Sequence, residues 1–315
     1  MQSTNIIKTI SLIGACALAV ASARAVSPPS NPLQVALLKW SANLTTTFPV
    51  GAQANGAAFD GANIWIANGS GVTKLRANDG AILGTFSGAP AAFYVLFDGA
   101  NIWTSNQANN NVTKFRASDG ANLGTFPVGT YAVGLAFDGA NIWVANLQDN
   151  TVTKLRASDG TTLGTFPVGS SPNGMAFDGT NIWITNQGSN NVMKMRPSDG
   201  TILGTFPTGS FPSYIAFDGV NIWVSNFFSN NVTKLRASDG ANLGTFSVGS
   251  NPFGVAYDGA NIWVTNTGSS NVTKLRLSNG ATLGTFPAGP SPYGIAFDGA
   301  NIWVASISGG TVSKF

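Results

Sequence analysis

The sequence contains no histidine and no glutamate, and its single cysteine, Cys16, stands close to the start. Each absence excludes a kind of chemistry. General acid–base catalysis draws most often on a histidine or glutamate with a tuned pKa. A serine nucleophile needs a base beside it. A zinc or catalytic metal centre is built from His, Cys or clustered carboxylates. Charge is scarce as well: 9% of residues are ionisable, with 16 Lys+Arg against 13 acids, all of them Asp. Beyond the first 25 residues no stretch approaches the ~18 consecutive apolar residues of a membrane helix.

Residues 1–25 read as an export signal. Lys8 gives a positive start, "TISLIGACALAVASA" an apolar stretch, and "ARA" at 23–25 a small-x-small cleavage site, so the mature chain is expected to begin near Val26. A second reading takes "IGAC" at 13–16 as a lipobox that would lipidate Cys16 and anchor the protein. Under cleavage at 25 the mature domain has no disulfide and no thiol chemistry, although it travels to an oxidising compartment, periplasmic or extracellular. Removal of Lys8 and Arg24 also leaves 14 cations against 13 anions. A surface so nearly balanced gives little drive toward nucleic acid or an acidic membrane.

What the sequence has in abundance is glycine, 38 residues of it, placed at fixed intervals. The phrase "FDGANIWVAN" at 137–146 has close copies beginning at Phe59, Phe97, Phe177, Phe217, Tyr257 and Phe297, with a period of 40 residues from Phe97 onward. Such a period marks a solenoid, a propeller or an array. The unit 173–212 splits into four short apolar runs, "GMAF", "NIWIT", "NVMKMR" and "ILGTF", separated by Gly-, Asn- and Asp-rich turns. Strand-length runs bounded in this way read as antiparallel hairpins. Four strands per repeat is the signature of a propeller blade. In "IWVAN" both strand faces are apolar, as blades stacked against neighbours on each side require.

The two ends of the repeat region fit together. The last unit stops at "GTVSKF" without an outer strand, while "ANLTTTFPVG" at 42–51 mirrors "ANLGTFPVG" at 121–129. The sequence therefore predicts an all-β fold: a seven-bladed β-propeller over 42–315, each blade a four-stranded antiparallel sheet. Residues 44–49 are expected to complete the last blade, after a leader over 26–41. Trp65, Trp103, Trp143, Trp183, Trp223, Trp263 and Trp303 are expected to fill the wedges between blades as structural core, and a monomer is expected.

"NIWVANLQDNTVTKLRASDGTTLGTFPVG" followed by "SPNGMAFDG" resembles the YVTN-type and NHL-type β-propeller repeats of exported bacterial and archaeal proteins. The resemblance covers about residues 42–315. It implies the fold, and fold alone leaves function open. Two enzyme families share this look. The virginiamycin B lyase-like propellers use histidines and a glutamate with a divalent metal, and the gluconolactonase-like propellers hold a metal through glutamate, asparagine and aspartate. With neither His nor Glu present, neither set of functional residues transfers to this sequence.

In a repeat protein, function sits where the repeat is broken. Apart from Lys39 and Asp149, every charge after residue 25 belongs to a repeating row. The Lys and Arg rows of the third strands alternate with Thr and Leu and are expected at most to pair with turn aspartates, exposed pairs worth about 0–1 kcal/mol each. The "DGAN" turns read as solvated Asx turns rather than calcium sites, because their oxygens are spread around a ring. No metal or cofactor is expected. The variable segments are the loops leading into each inner strand and those between second and third strands, and both fall on one rim. That rim carries Phe93, Tyr94, Tyr131, Asp149, Phe211, Tyr214, Phe227, Phe228, Phe253 and Tyr293 among Asn, Gln and Ser. Aromatic rings beside amides suit a protein, peptide or glycan partner. The same rings would equally plug the channel mouth or cover the blade tops. Phe227–Phe228, at a hairpin tip, argues for a surface role. The leading expectation is an exported, non-catalytic binding scaffold. A metal-dependent lyase or lactonase-type propeller and a structural envelope repeat protein remain the alternatives.

Overall fold

The computed structural model describes residues 46–315. The expected export signal, Cys16, the leader over 26–41 and residues 42–45 of the expected domain lie outside the described residues. What is described forms seven four-stranded antiparallel sheets. Six are consecutive in the chain, spanning 57–87, 92–127, 132–167, 172–207, 212–247 and 252–287. They are called here the first to sixth blades. The seventh is composite. Its inner three strands are Pro292–Phe297, Ile302–Ser306 and Thr311–Lys314, and its outer strand is Thr46–Pro49. The register Thr46↔Lys314, Thr47↔Ser313, Phe48↔Val312, Pro49↔Thr311 joins the two ends of the described chain. Among the described residues the one helical element is a single 3-10 turn, Gln107–Asn109.

The strands form because their sequences satisfy two neighbours at once. Ile142–Asn146 is buried throughout, with Trp143 on one face and Ile142 and Val144 on the other. Each apolar cluster joins successive blades, two in five of the clusters and three in the largest. Trp183 and Val192 of the fourth blade, for example, pack with Ile215, Ile222 and Leu235 of the fifth. The repeated tryptophans are thus the wedge between blades, as the sequence predicts.

Three polar groups position each wedge. In the third blade, Asp138 Oδ1 accepts the backbone N–H of Ala140 and Asn141 at 2.9 and 2.7 Å, forming an Asx turn. Its Oδ2 accepts Trp143 Nε1–H at 2.8 Å. The Lys154 ammonium lies 5.0 Å from the Trp143 ring centroid and donates to the Pro197 carbonyl of the next blade at 2.7 Å. Six of the seven lysines thus donate to carbonyls of the next blade rather than forming exposed pairs with turn aspartates. Lys74, Lys114 and Lys234 are buried, because a cation over an indole and within reach of carbonyls is solvated by the protein. The arginines do stay outside, in five half-exposed Arg–Asp pairs of the Arg76–Asp79 type, each worth about 0–1 kcal/mol. The same latch closes the ring, since Lys314 Nζ donates to Ala77 O and Asn78 O at 2.8 and 3.0 Å. Lys274 is the exception: its ammonium lies 3.9 Å from Asp258, and Trp263 is the one wedge indole with measurable exposure, 7%.

Candidate functional site: the variable rim

The two sets of variable loops lie side by side on one rim, and backbone hydrogen bonds join them. Leu147 N donates to Tyr131 O at 3.1 Å, and Phe227 N donates to Phe211 O at 3.0 Å. Asparagine side chains then tie each blade to the next. Asn110, Asn150, Asn190 and Asn230, each at the end of a second-to-third-strand turn, accept through Oδ1 the backbone N–H of Tyr131, Ser171, Phe211 and Asn251 at 2.8–2.9 Å. The residue at this position adopts a left-handed backbone in all seven blades, with or without the asparagine bond: Gln53, Ala91, Tyr131, Ser171, Phe211, Asn251 and Ser291 have φ between +51° and +63°. Asparagine tolerates that region, whereas a bulky ring is an outlier there.

The ten residues that the sequence groups on this rim divide into two sets. Phe93, Tyr94, Tyr214, Phe253 and Tyr293 are on inner strands of the second, fifth, sixth and seventh blades. Their rings meet where inner strands from opposite sides converge. Tyr94 stacks on Tyr214 with centroids 5.2 Å apart and planes 9° apart, and its hydroxyl donates to Asn173 Oδ1 at 3.1 Å. Phe253 stacks on Tyr293, Tyr293 meets Phe93 edge-on at 5.6 Å, and Tyr214 meets Phe253 at 6.1 Å. Burial raises the Tyr214 hydroxyl to about 12 and holds Tyr94 and Tyr293 well above the ordinary tyrosine range, with neighbouring tyrosines adding to the effect at both. This is a hydrogen-bonded aromatic plug.

A glycine pattern explains where the plug sits. The third inner-strand position is Gly in five blades, because a Cβ there meets the next strand's backbone. At Gly56 it would lie 2.7 Å from Phe93 O, and at Gly134 it would run into the Asn173 carbonyl. Tyr94 and Tyr214 occupy that position in the other two blades and send their rings to the centre instead.

Of the second set, Tyr131 packs against the core cluster of the second to fourth blades, and the others stay outside. Phe211, Phe227 and Phe228 form a cluster on the fifth blade's rim, with centroids 4.8–6.0 Å apart, and Phe228 is 60% exposed. Tyr131 occupies the left-handed position of the third blade with φ +63°. Asp149 accepts Thr130 N at 2.6 Å, the bond that Ser189, Ser229 and Ser269 provide to Ser170, Ser210 and Ser250 in later blades. Asp149 thus breaks the charge pattern while keeping the turn.

Sequence reasoning missed the four asparagines that organise the rim. Their only signal is recurrence one residue before the third strand, in pairs such as Asn110–Asn111 and Asn190–Asn191. The opposite face offers a shallow cleft between the first two blades, lined by Asp60, Asn63, Lys74, Gly99 and Ser118. Both of its ionised groups are engaged, Asp60 by Trp65 Nε1–H at 2.7 Å and Lys74 by Ala117 O at 2.7 Å. Among the described residues no group of three or more His, Cys, Asp or Glu could hold a metal ion, and no helix is long and apolar enough to cross a membrane.

No protein-family profile matches the sequence, and no curated protein matches it. Solved structures do. Virginiamycin B lyase from Staphylococcus aureus is 20% identical with a TM-score of 0.73, over 85% of this chain and 97% of the lyase chain. A catalytically inactive variant of that lyase, with a histidine changed to alanine and quinupristin present, is 19% identical with a TM-score of 0.72, over 85% and 98%. A chain of the mitotic checkpoint complex is 15% identical with a TM-score of 0.76, over 85% and 90%. At these identities the likeness is one of fold. The protein is a seven-bladed propeller of the architecture that the lyase also has.

Proposed function

We propose that this protein is an exported, non-catalytic propeller that binds a protein, peptide or glycan partner through its variable rim. One observation carries the reading: an aromatic cluster, Phe211 with Phe227 and Phe228, stands on that rim outside every core cluster, and one of its rings is held in a backbone conformation unfavourable to it. Two further facts support it. The repeating charges are spent on latches and turns, so the repeat itself carries no reactive group. The lyase neighbour is catalytically inactive when a histidine is replaced by alanine, and this sequence has no histidine. Proteins as different as a lyase and a checkpoint complex use this fold, so the variable surface rather than the fold sets function. Export rests on residues 1–25 and the cleavage pattern at 23–25.

The test is the double substitution Phe227→Ser, Phe228→Ser in the full chain. Capture from an envelope extract and binding to a glycan array should both be compared with wild type. The expected result is an unchanged melting curve with loss of whatever the wild type binds. Unfolding would assign the pair to the core, and undiminished binding would move the site elsewhere. Stoichiometric calcium or magnesium in the purified protein would favour the enzymatic alternative.

A further inference from the structure

We propose that the fifth blade's rim is a binding site for a neutral saccharide, with Phe211 and Phe228 as the stacking surface and the side-chain amides of Asn190 and Asn230 as flanking donors. This rests on the reading of the rim as the binding face and names its ligand.

Phe211 holds a strained backbone. Its φ of +58° is imposed by a turn that all seven blades share, and at the same place the sixth blade uses Asn251, a residue suited to that region. A phenylalanine there is a worse choice for folding, and its ring does not join a core cluster in return. The ring lies against Phe228, 4.8 Å away, whose own side is 60% exposed. Strain held at a half-exposed position, with packing gained only against Phe227 and Phe228 and none against the core, points to use of the rings by something else.

The neighbouring amides have a fixed orientation. A backbone N–H can be answered only by an oxygen, so the bonds from Phe211 N to Asn190 Oδ1 at 2.8 Å and from Asn251 N to Asn230 Oδ1 at 2.9 Å determine which side-chain atom is which. Among the described residues neither Asn190 Nδ2 nor Asn230 Nδ2 has a hydrogen-bond partner, and both residues are exposed. Free amide donors thus stand beside the aromatic cluster, Asn190 bonded to the Phe211 backbone and Asn230 two residues after the exposed Phe228.

Ligand chemistry follows by elimination on this geometry. Among the described residues Asp149 is the only charged residue in the loops of this rim, and its carboxylate is bonded to Thr130 N, so a charged ligand finds no counter-charge there. The three rings touch one another, at 4.8–6.0 Å between centroids, and leave no cage between them for an organic cation. The rim's loop backbones are paired with one another, so there is no free strand edge for a peptide to extend. The cluster offers roughly 200–400 Å² at most, well under the ~800 Å² per partner of a stable protein interface, which excludes a second copy held here alone. A sugar ring has an apolar C–H face that packs on an aromatic ring and hydroxyls that accept from amides. It matches both halves of the site.

The experiment titrates the full-length protein with hexasaccharides of glucose, N-acetylglucosamine, mannose and galactose, and with oligogalacturonate as the charged control. Binding is read by saturation-transfer NMR and calorimetry. At least one neutral hexasaccharide should bind, with an affinity insensitive to added salt, and oligogalacturonate should not. Phe211→Asn should weaken that binding about ten-fold or more while the thermal midpoint stays or rises, because Asn251 already serves the same turn. Phe228→Ser should weaken it likewise. The saccharide assignment is overturned if no neutral hexasaccharide binds, or if Phe211→Asn binds as well as wild type. If no saccharide binds while capture from extract still depends on Phe227 and Phe228, the ligand class falls and the rim reading stands. If the Phe227→Ser, Phe228→Ser protein behaves as wild type in every assay, both fall.

Discussion

Replacing Trp143 separates the two contributions that the wedge residue makes. Its side chain is fully buried, and an indole removes roughly 150–250 Å² from water, a gross gain of about 4–6 kcal/mol. Truncation of such a residue destabilises by about 3–5 kcal/mol, and that is the expectation for Trp143→Ala. Trp143→Phe keeps a ring against Phe166, 5.6 Å away, and under Lys154, but loses the Nε1–H bond to Asp138 Oδ2 at 2.8 Å. A bond to a charged group is worth about 1.5–3 kcal/mol, and partial exposure of Asp138 puts this one near the lower end. The Phe variant should therefore lose about 1–2 kcal/mol. Its loss should also depend on pH. Burial alone would raise the Asp138 pKa, but donation from Trp143, Ala140 and Asn141 outweighs burial and lowers it. A depressed carboxylate contributes stability that is present above its unfolded pKa of ~3.9 and is lost as pH falls through the folded value. The gap between wild type and Trp143→Phe should accordingly be full at neutral pH and shrink below pH ~3.5. Urea titrations followed by far-UV circular dichroism at the two pH values measure it. Equal losses for the Ala and Phe variants, or a gap unchanged in acid, would refute the assignment of the Asp–Trp bond as a separate contribution.

Two other expectations concern the plug and the latch. Tyr94, Tyr214 and Tyr293 have raised hydroxyl pKa values, Tyr214 to about 12, so their stabilisation is complete below the unfolded pKa of ~10 and is lost progressively as pH rises above it toward the folded values. An ultraviolet titration should show these three ionising only as the fold is lost, and smooth ionisation of all five tyrosines near pH ~10 in the folded protein would contradict the plug. Lys114→Met should cost about 1–3 kcal/mol, because Ala157 O and Ser158 O lose a donor at 2.7 and 3.0 Å. Lys274→Met, where the ammonium has Asp258 at 3.9 Å and the Trp263 ring at 4.7 Å but no carbonyl among the described residues, should cost less, about 1 kcal/mol or under. Equal effects at the two sites in chemical denaturation would show that the carbonyl latch contributes nothing.

Much of this architecture is legible in the sequence because it repeats. The period fixes the blades, the doubly apolar "IWVAN" strand demands a neighbour on each face, and "TTFPVG" before the first complete unit supplies the outer strand that the last unit lacks. The lysine latch was not legible, for a physical reason. Lys114 answers a backbone carbonyl 43 residues on, in the next blade, and a carbonyl leaves no trace in the amino-acid alphabet. The bond from Trp143 to Asp138, five residues apart across a turn, is hidden in the same way, since each residue has a sufficient role alone. At the candidate site the sequence identifies the aromatic residues but not their division. Whether a ring turns to the centre or stays on the rim depends on its position along the inner strand. Tyr94 and Tyr214 replace the close-contact glycine and point inward, whereas Phe211 stands one turn earlier, where the backbone is left-handed. Asp149 illustrates the converse. It breaks the charge pattern and yet makes the bond that serine makes elsewhere.

The central claim is that the repeated residues hold the ring and the variable rim does the binding. Hydrogen–deuterium exchange on the protein with and without a bound ligand, whether a neutral hexasaccharide or a partner captured through the rim, tests it most directly. Slowed exchange is predicted in the loops at 187–190, 208–211 and 227–230, with the opposite turns at 178–181 and 218–221 unchanged. Protection centred on those opposite turns, with the rim loops unaffected, would contradict it.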